Sequence, residues 1–277
     1  MVSSLRRLPT IAEILGLAVC AAVTAWTSDG SAQDAACLQP PAVCAARDAV
    51  FAIAAFDPLA SAVRISPDLL VTSRHGIADR TEVDLMLADG AWHKVRVIPT
   101  DYTGDIILLS APDLPPGPVL TLAPGEASGP VYTVGADISF GRIRAYDPGA
   151  VTLTPAPGKA LARLHHTAHN QPGNSGGALV DADGGLVGIV ASGGEGRLEA
   201  VPAGALSDLK SASGPDRAAA SAEIGAAVRI CTLKLEEIRQ SPGALDEQNA
   251  KALTTACRRT GNRQFYDLAA HTNPHNK

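Results

Sequence analysis

Three short stretches of this chain hold side chains whose types could act on one another. The first is Gly173-Asn174-Ser175-Gly176-Gly177, a serine set among glycines just before the apolar run Ala178-Leu179-Val180. Glycines on both sides let the chain turn tightly, expose the hydroxyl, and let another backbone approach closely. The second is Val71-Thr72-Ser73-Arg74-His75, with the histidine just past an apolar strand. The third is Asp105-Ile106-Ile107-Leu108-Leu109, an acid opening a buried strand. A serine hydroxyl becomes a nucleophile only when a base takes its proton, and that base needs a carboxylate to fix its tautomer. Taken singly, each stretch also reads as ordinary structure: a Gly-rich turn, a strand-end histidine, a strand-opening cap.

The elements that must position these residues are short and apolar. Runs at 50–54, 62–65, 69–72, 83–87, 95–98 and 106–109 read as strands, with Asp89-Gly90 as a hairpin turn. A second set follows at 131–134, 142–146, 151–153, 161–166, 178–180, 186–191 and 197–201. The Pro-rich stretch at 112–118 joins them. The expectation is a mainly β body of two antiparallel six-stranded barrels, at residues 33–122 and 123–212, with no helix among the strands. Past Ser213-Gly214-Pro215 the chain is rich in helix formers up to Gln240, breaks at Ser241-Pro242-Gly243, and resumes from Leu245, so residues 213–277 read as a helical C-terminal extension.

Composition narrows the partners. Hydrophobic residues make up 46% of the 277, enough for sizeable cores, yet only 4% are aromatic, so Val, Leu, Ile and Ala must fill them. A formal charge of −5 without a basic stripe argues against nucleic acid. Residues 1–32 read as a secretory signal: Arg6 and Arg7, an apolar run from Ile14 to Trp26, then small residues Gly30-Ser31-Ala32. The run is short for a membrane span, so no stable membrane association is expected once it is removed, and the location is periplasmic or secreted. Its removal takes Cys20 and leaves Cys37, Cys44, Cys231 and Cys257, which three pairings could join. An antiparallel helix pair turning at Gly243 sets Cys231 and Cys257 at similar heights, which favours Cys37–Cys44 and Cys231–Cys257.

In the order His75, Asp105, Ser175, the three stretches resemble the trypsin-like (chymotrypsin-fold) serine proteases, and within them the HtrA (DegP-type) protease domain. Ile65-Ser66-Pro67-Asp68-Leu69-Leu70-Val71-Thr72-Ser73-Arg74-His75 is similar to the HtrA segment that leads into its catalytic histidine. Leu87-Ala88-Asp89-Gly90, Thr100-Asp101 and Asp105 to Leu109 resemble its approach to the catalytic aspartate, and Gly173 to Leu179 its nucleophile motif. The resemblance covers residues 48–210 and implies two trypsin-like barrels and peptide-bond hydrolysis without a cofactor. It implies Ser175 as nucleophile, His75 as general base and then acid, and Asp105 as the group orienting the imidazole. The amides of Gly173 and Ser175 would form the oxyanion hole. His169 would stand at the base of the primary substrate pocket, with Ala191, Ser192 and Gly193 along one wall.

The chain also departs from the family. Ala60-Ser61-Ala62 stands where a Gly-Ser-Gly stretch is usual, Asn174 replaces the aspartate of digestive trypsins, and no PDZ-like pattern follows the barrels. His165 and His166 point to opposite strand faces, which argues against a shared metal. The function implied is a serine endopeptidase acting on protein or peptide substrates among exported proteins. A non-catalytic, chaperone-like or binding protein that keeps the fold is the alternative.

Overall fold

The computed structural model describes residues 37–125, 127–139, 141–156, 163–194, 197–240 and 257, with the side chains of 192–197 and 238–239 left aside. The expected signal at 1–32, the first two residues of the strand expected at 161–166 and the second half of the helix pair, Cys257 apart, lie outside these residues.

Six strands form the first barrel: β1 (Val50–Ala54), β2 (Ala60–Ser66), β3 (Leu69–Ser73), β4 (Glu82–Met86), β5 (Trp92–Ile98) and β6 (Ile106–Ser110). They close in the order β1-β2-β3-β6-β5-β4, all antiparallel. The second set is β7 (Pro130–Ala136), β8 (Ile143–Ala145), β9 (Gly149–Leu153), β10 (Leu164–His166), β11 (Ala178–Asp181), β12 (Leu186–Gly194) and β13 (Arg197–Pro202). Seven strands make six staves here, because β8 and β9 pair with successive halves of β7 while β11 pairs with it over Val131–Val134. The ring β7-β11-β12-β13-β10-β9 is therefore closed. Two six-stranded antiparallel barrels are what the apolar runs predicted.

Those runs are continuous rather than alternating because the strands near the junction bury both faces. In β3 and β6, Leu70, Ile107 and Leu109 fill the first barrel with Ile53, Val83, Leu85 and Val95. Their neighbours Val71, Ile106 and Leu108 face the other way and pack with Val134, Ala178, Val180, Ile189 and Val201 of the second barrel. A third cluster, with Val131, Leu164, Leu179, Val190 and Ala200, fills the second barrel. The join between barrels is pinned, since Arg64 on β2 donates to the Pro115 carbonyl at 2.9 Å.

Among the described residues, four α-helices accompany the strands. The first, α1 (Pro41–Ala45), begins with proline at its first position and is held by the Cys37–Cys44 disulfide. Single-turn α2 (Arg74–Ile77) carries His75, and α3 (Ala205–Ser211) follows the second barrel. None of α1, α2 and α3 was expected from sequence, being too short, at four to seven residues, to show a helical period. The long α4 (Ala218–Gln240) fits the helix-forming composition, buries Val228, Cys231 and Leu235, and is joined to Cys257 by the second disulfide. Both pairings are those expected.

Candidate active site

Each of the three chemically competent residues sits where an apolar strand ends at the junction. His75 follows β3 within α2, Asp105 immediately precedes β6, and β3 pairs with β6 such that Ser73 faces Ile106. That register sets the histidine beside the aspartate. His75 Nδ1 lies 2.8 Å from Asp105 Oδ2, and the His75 backbone N–H donates to Oδ1 at 2.9 Å. An ionised carboxylate can only accept, so the ring proton sits on Nδ1 and the Nε2 lone pair is free to act as a base.

Burial opposes a charge on the His75 ring, but the charge and hydrogen bond of Asp105 outweigh it. Asp57 adds to that pull and Arg163 opposes it, so the imidazolium persists above the ordinary histidine range. Burial likewise opposes the Asp105 charge, and His75 and Arg163 together hold its carboxyl below the ordinary value. Asp57, on the loop between β1 and β2, is pushed up by burial, with His75 pulling down and Asp105 up. Its backbone is anchored on α2, since the amides of Phe56 and Asp57 both donate to the Gly76 carbonyl, at 3.1 and 3.0 Å.

Ser175 comes from the second barrel, on the turn before β11. Gly173 and Gly176 have φ of +97° and +81°, conformations that L side chains rarely adopt. Gly176 also runs against the first barrel: a Cβ there would collide with the Ser61 carbonyl, the Thr72 hydroxyl and, at 2.7 Å, the Ser73 amide. This close approach sets the serine turn within two residues of His75. The amides of Asn174, Gly176 and Gly177 donate to Gln171, Val190 and Asn174 carbonyls. Among the described residues no acceptor meets the Gly173 or Ser175 amide, leaving both for an oxyanion. The Ser175 hydroxyl donates to the Ala191 carbonyl at 3.0 Å and not to His75.

Sequence reasoning missed the residue that ties this turn down. Ser61, buried on β2, donates through Oγ to the Gly173 carbonyl at 2.7 Å and accepts the Ala136 amide at 2.8 Å. Its own amide donates to the Ser175 carbonyl at 2.8 Å. The departure from Gly-Ser-Gly at 60–62 thus keeps the serine, the member with a hydrogen-bonding role. Ser61→Ala is expected to lower kcat/KM between about tenfold and a hundredfold, since a broken buried hydrogen bond costs about 1–3 kcal/mol. KM should change less than kcat, and wild-type kinetics in this variant would remove Ser61 from the site. Asn174 completes the turn, fully buried, with its amide nitrogen donating to the Ala136 carbonyl at 3.0 Å and its oxygen accepting the Gln171 amide at 2.9 Å.

The residues expected to shape a substrate pocket come from the loop after β10 and from β12. His169 is exposed and stacks on Tyr146, ring centroids 5.3 Å apart. Ala191 is buried and offers its carbonyl to Ser175, while the Ser192 side chain lies outside the described set and Gly193 continues β12. The other two histidines of this region do point apart. His165 pairs with Glu199 at 3.4 Å, whereas His166 is 3% exposed and burial holds its imidazole down to about 4. Unfolded chain takes up a proton at His166 below about pH 6.5 that the folded protein refuses, so this histidine favours the folded state above that pH. That contribution, up to about 3 kcal/mol, should vanish between pH 6.5 and 4. Urea midpoints across this range should fall steeply for wild type and more gently for His166→Asn.

The C-terminal helix reaches this site from behind. Arg74, adjacent to His75 and 1% exposed, donates from one guanidinium nitrogen to the Ser221 carbonyl at 2.6 Å and to its hydroxyl at 3.2 Å. Burial holds this guanidinium down to about 10, with Asp105 pulling the other way. Gly225 lies flat against the end of α2, where a Cβ would stand 2.6 Å from the Ala78 carbonyl oxygen. Ala78 itself has φ of +54°, a strained conformation for a residue with a side chain. Arg229 pairs with Asp79 at 3.2 Å and covers the Phe56 ring.

Known proteins resemble this chain in sequence and in fold. Residues 60–189 match the family model of the trypsin-like peptidase domain. The zebrafish (Danio rerio) serine protease HTRA1A is 32% identical over 135 residues, 44% of this chain and 27% of that protein's length. The chain thus matches about a quarter of that relative. Among solved structures, a serine-to-alanine variant of the HtrA-type protease AlgW with a tripeptide has 26% identity and a TM-score of 0.52, covering 61% of each chain. The inactive form of the protease Rv3671c shares the fold at 24% identity and a TM-score of 0.51, covering 63% of this chain and 97% of its own. The stretch similar to the trypsin-like peptidase domain, residues 60–189, holds His75, Asp105 and Ser175.

Proposed function

We propose that this chain is a serine endopeptidase, in which Ser175 attacks the scissile carbonyl, His75 takes and returns the proton, and Asp105 fixes the imidazole. The amides of Gly173 and Ser175 receive the oxyanion. The observation that carries the reading is the pairing of His75 with both Asp105 oxygens beside a glycine-flanked serine turn whose two amides meet no acceptor among the described residues. Acyl transfer needs each of these parts and no cofactor. Substrates are protein or peptide chains in an exported setting, periplasmic or extracellular, in keeping with the signal-like residues 1–32 and two cystines.

One observation favours a second reading, a binding or chaperone-like protein without turnover: the Ser175 hydroxyl is bonded to Ala191. A partly exposed serine changes rotamer in picoseconds to nanoseconds, so this bond describes a resting hydroxyl that must turn to reach His75. A fluorophosphonate probe separates the readings. It should label the chain at Ser175, located by peptide mass spectrometry, and leave Ser175→Ala unlabelled. An unlabelled wild-type chain would favour the binding protein.

A further inference from the structure

Behind the His75–Asp105 pair stands a charge that acyl transfer in this fold does not require. Arg163 lies immediately before β10 on the second barrel, 58 positions from Asp105 in sequence. Leu164 points into the core of that barrel, so strand alternation turns Arg163 outward, across the junction. One guanidinium nitrogen comes within 3.8 Å of Asp105 Oδ2, the same oxygen that faces His75 Nδ1, and the Arg163 side chain is 2% exposed. Burying a guanidinium is costly unless a counter-charge meets it. Here the counter-charge is a carboxylate whose two oxygens already serve His75.

We propose that Arg163 is a positioning residue for the reaction: its guanidinium keeps the Asp105 carboxylate ionised and aimed at His75, and limits how tightly that carboxylate holds the imidazolium. The proposal rests on the peptidase reading. A base clamped too firmly by its carboxylate keeps its proton and is charged when it should accept one. A positive charge behind the carboxylate weakens the clamp without removing the hydrogen bond that fixes the tautomer. Charges face the pair from each packed element: Asp57 from the loop after β1, Arg74 from α2, and Arg163 from the second barrel. The Tyr102 phenol stands in the field of Arg163 and of Asp208 on α3, while α4 contributes the neutral Ser221. Asp57 and Arg163 act on His75 with opposite signs, and Arg163 is the one in contact with Asp105.

The test follows the His75 ring directly, by NMR titration of labelled histidine in the full chain, with the signal assigned through His75→Gln. The pH profile of kcat/KM is recorded in parallel. Arg163→Met should move the His75 midpoint upward by about one pH unit, and lift the acid limb of the profile with it. Arg163→Lys, which keeps the charge, should stay close to wild type, and Asp57→Asn should move the midpoint down. Melting curves identify variants that fold, and Arg163→Gln takes the place of Arg163→Met if the latter does not. A folded, neutral variant at 163 with an unmoved midpoint overturns the proposal, as does a lysine variant that shifts as far as the neutral one. If the midpoint moves as expected while the wild-type chain takes no fluorophosphonate label, the electrostatic role of Arg163 stands and the peptidase reading falls.

Discussion

Ser175→Ala is expected to reduce peptide turnover by about 10⁶ while leaving the melting temperature within a degree or two of wild type. The hydroxyl makes one hydrogen bond, to the Ala191 carbonyl, and its loss breaks no contact between the barrels. What packs the turn is backbone: the Ser175 carbonyl taken by Ser61, and Gly176 against Ser61, Thr72 and Ser73. His75→Ala should fall to a similar floor, and the double variant scarcely lower, because nucleophile and base act as one unit. Asp105→Asn should lose about 10⁴, with the wrong ring nitrogen carrying the proton. Residual activity above the uncatalysed rate would report the Gly173 and Ser175 amides alone. A double variant far slower than either single one would show that the two side chains act independently, and the triad reading would be lost.

The second large effect concerns α4. Removing residues 216–277 should abolish most hydrolysis and lower the melting temperature by on the order of 10 °C, from the loss of the burial of Val228, Cys231 and Leu235. The helix grips the histidine turn through Arg74, Ala78 and Asp79, so its removal leaves a buried guanidinium without its Ser221 acceptors and frees a strained residue. Gly225→Leu separates the two roles. A leucine there must push α4 off Ala78, yet the barrels and their cores are untouched. Turnover should drop by tenfold or more with a melting shift of only a few degrees. An unchanged kcat in that variant, or an active truncated chain, would reduce α4 to a surface brace.

How much of this could be read from sequence depends on where each residue finds its partners. The barrels were legible because runs such as Ile106-Ile107-Leu108-Leu109 are apolar at every position, as strands buried on both faces must be. His75, Asp105 and Ser175 were legible because their types are few and each ends or opens such a run. The disulfide of α4 was expected because Cys231 and Cys257 lie at similar distances before and after the expected turn at Gly243. Ser61, Arg163 and Ser221 carry no comparable mark. Ser61 meets Gly173 across 112 positions, and Arg74 meets Ser221 across 147, so only the closed fold brings them together. The doubled stave of β8 and β9 was hidden because a break within one stave looks in sequence like two separate strands. Short α3 escaped because seven residues flanked by an uncapped start give little periodic signal.

The staple at Cys231–Cys257 lies downstream of both barrels and fixes the helix that seats the histidine turn. A ribosome therefore finishes Ser175, Asp105 and His75 before it makes the segment that packs against the histidine turn. Under reducing conditions the two thiols would stay apart, and α4 would lose its covalent tie to Cys257.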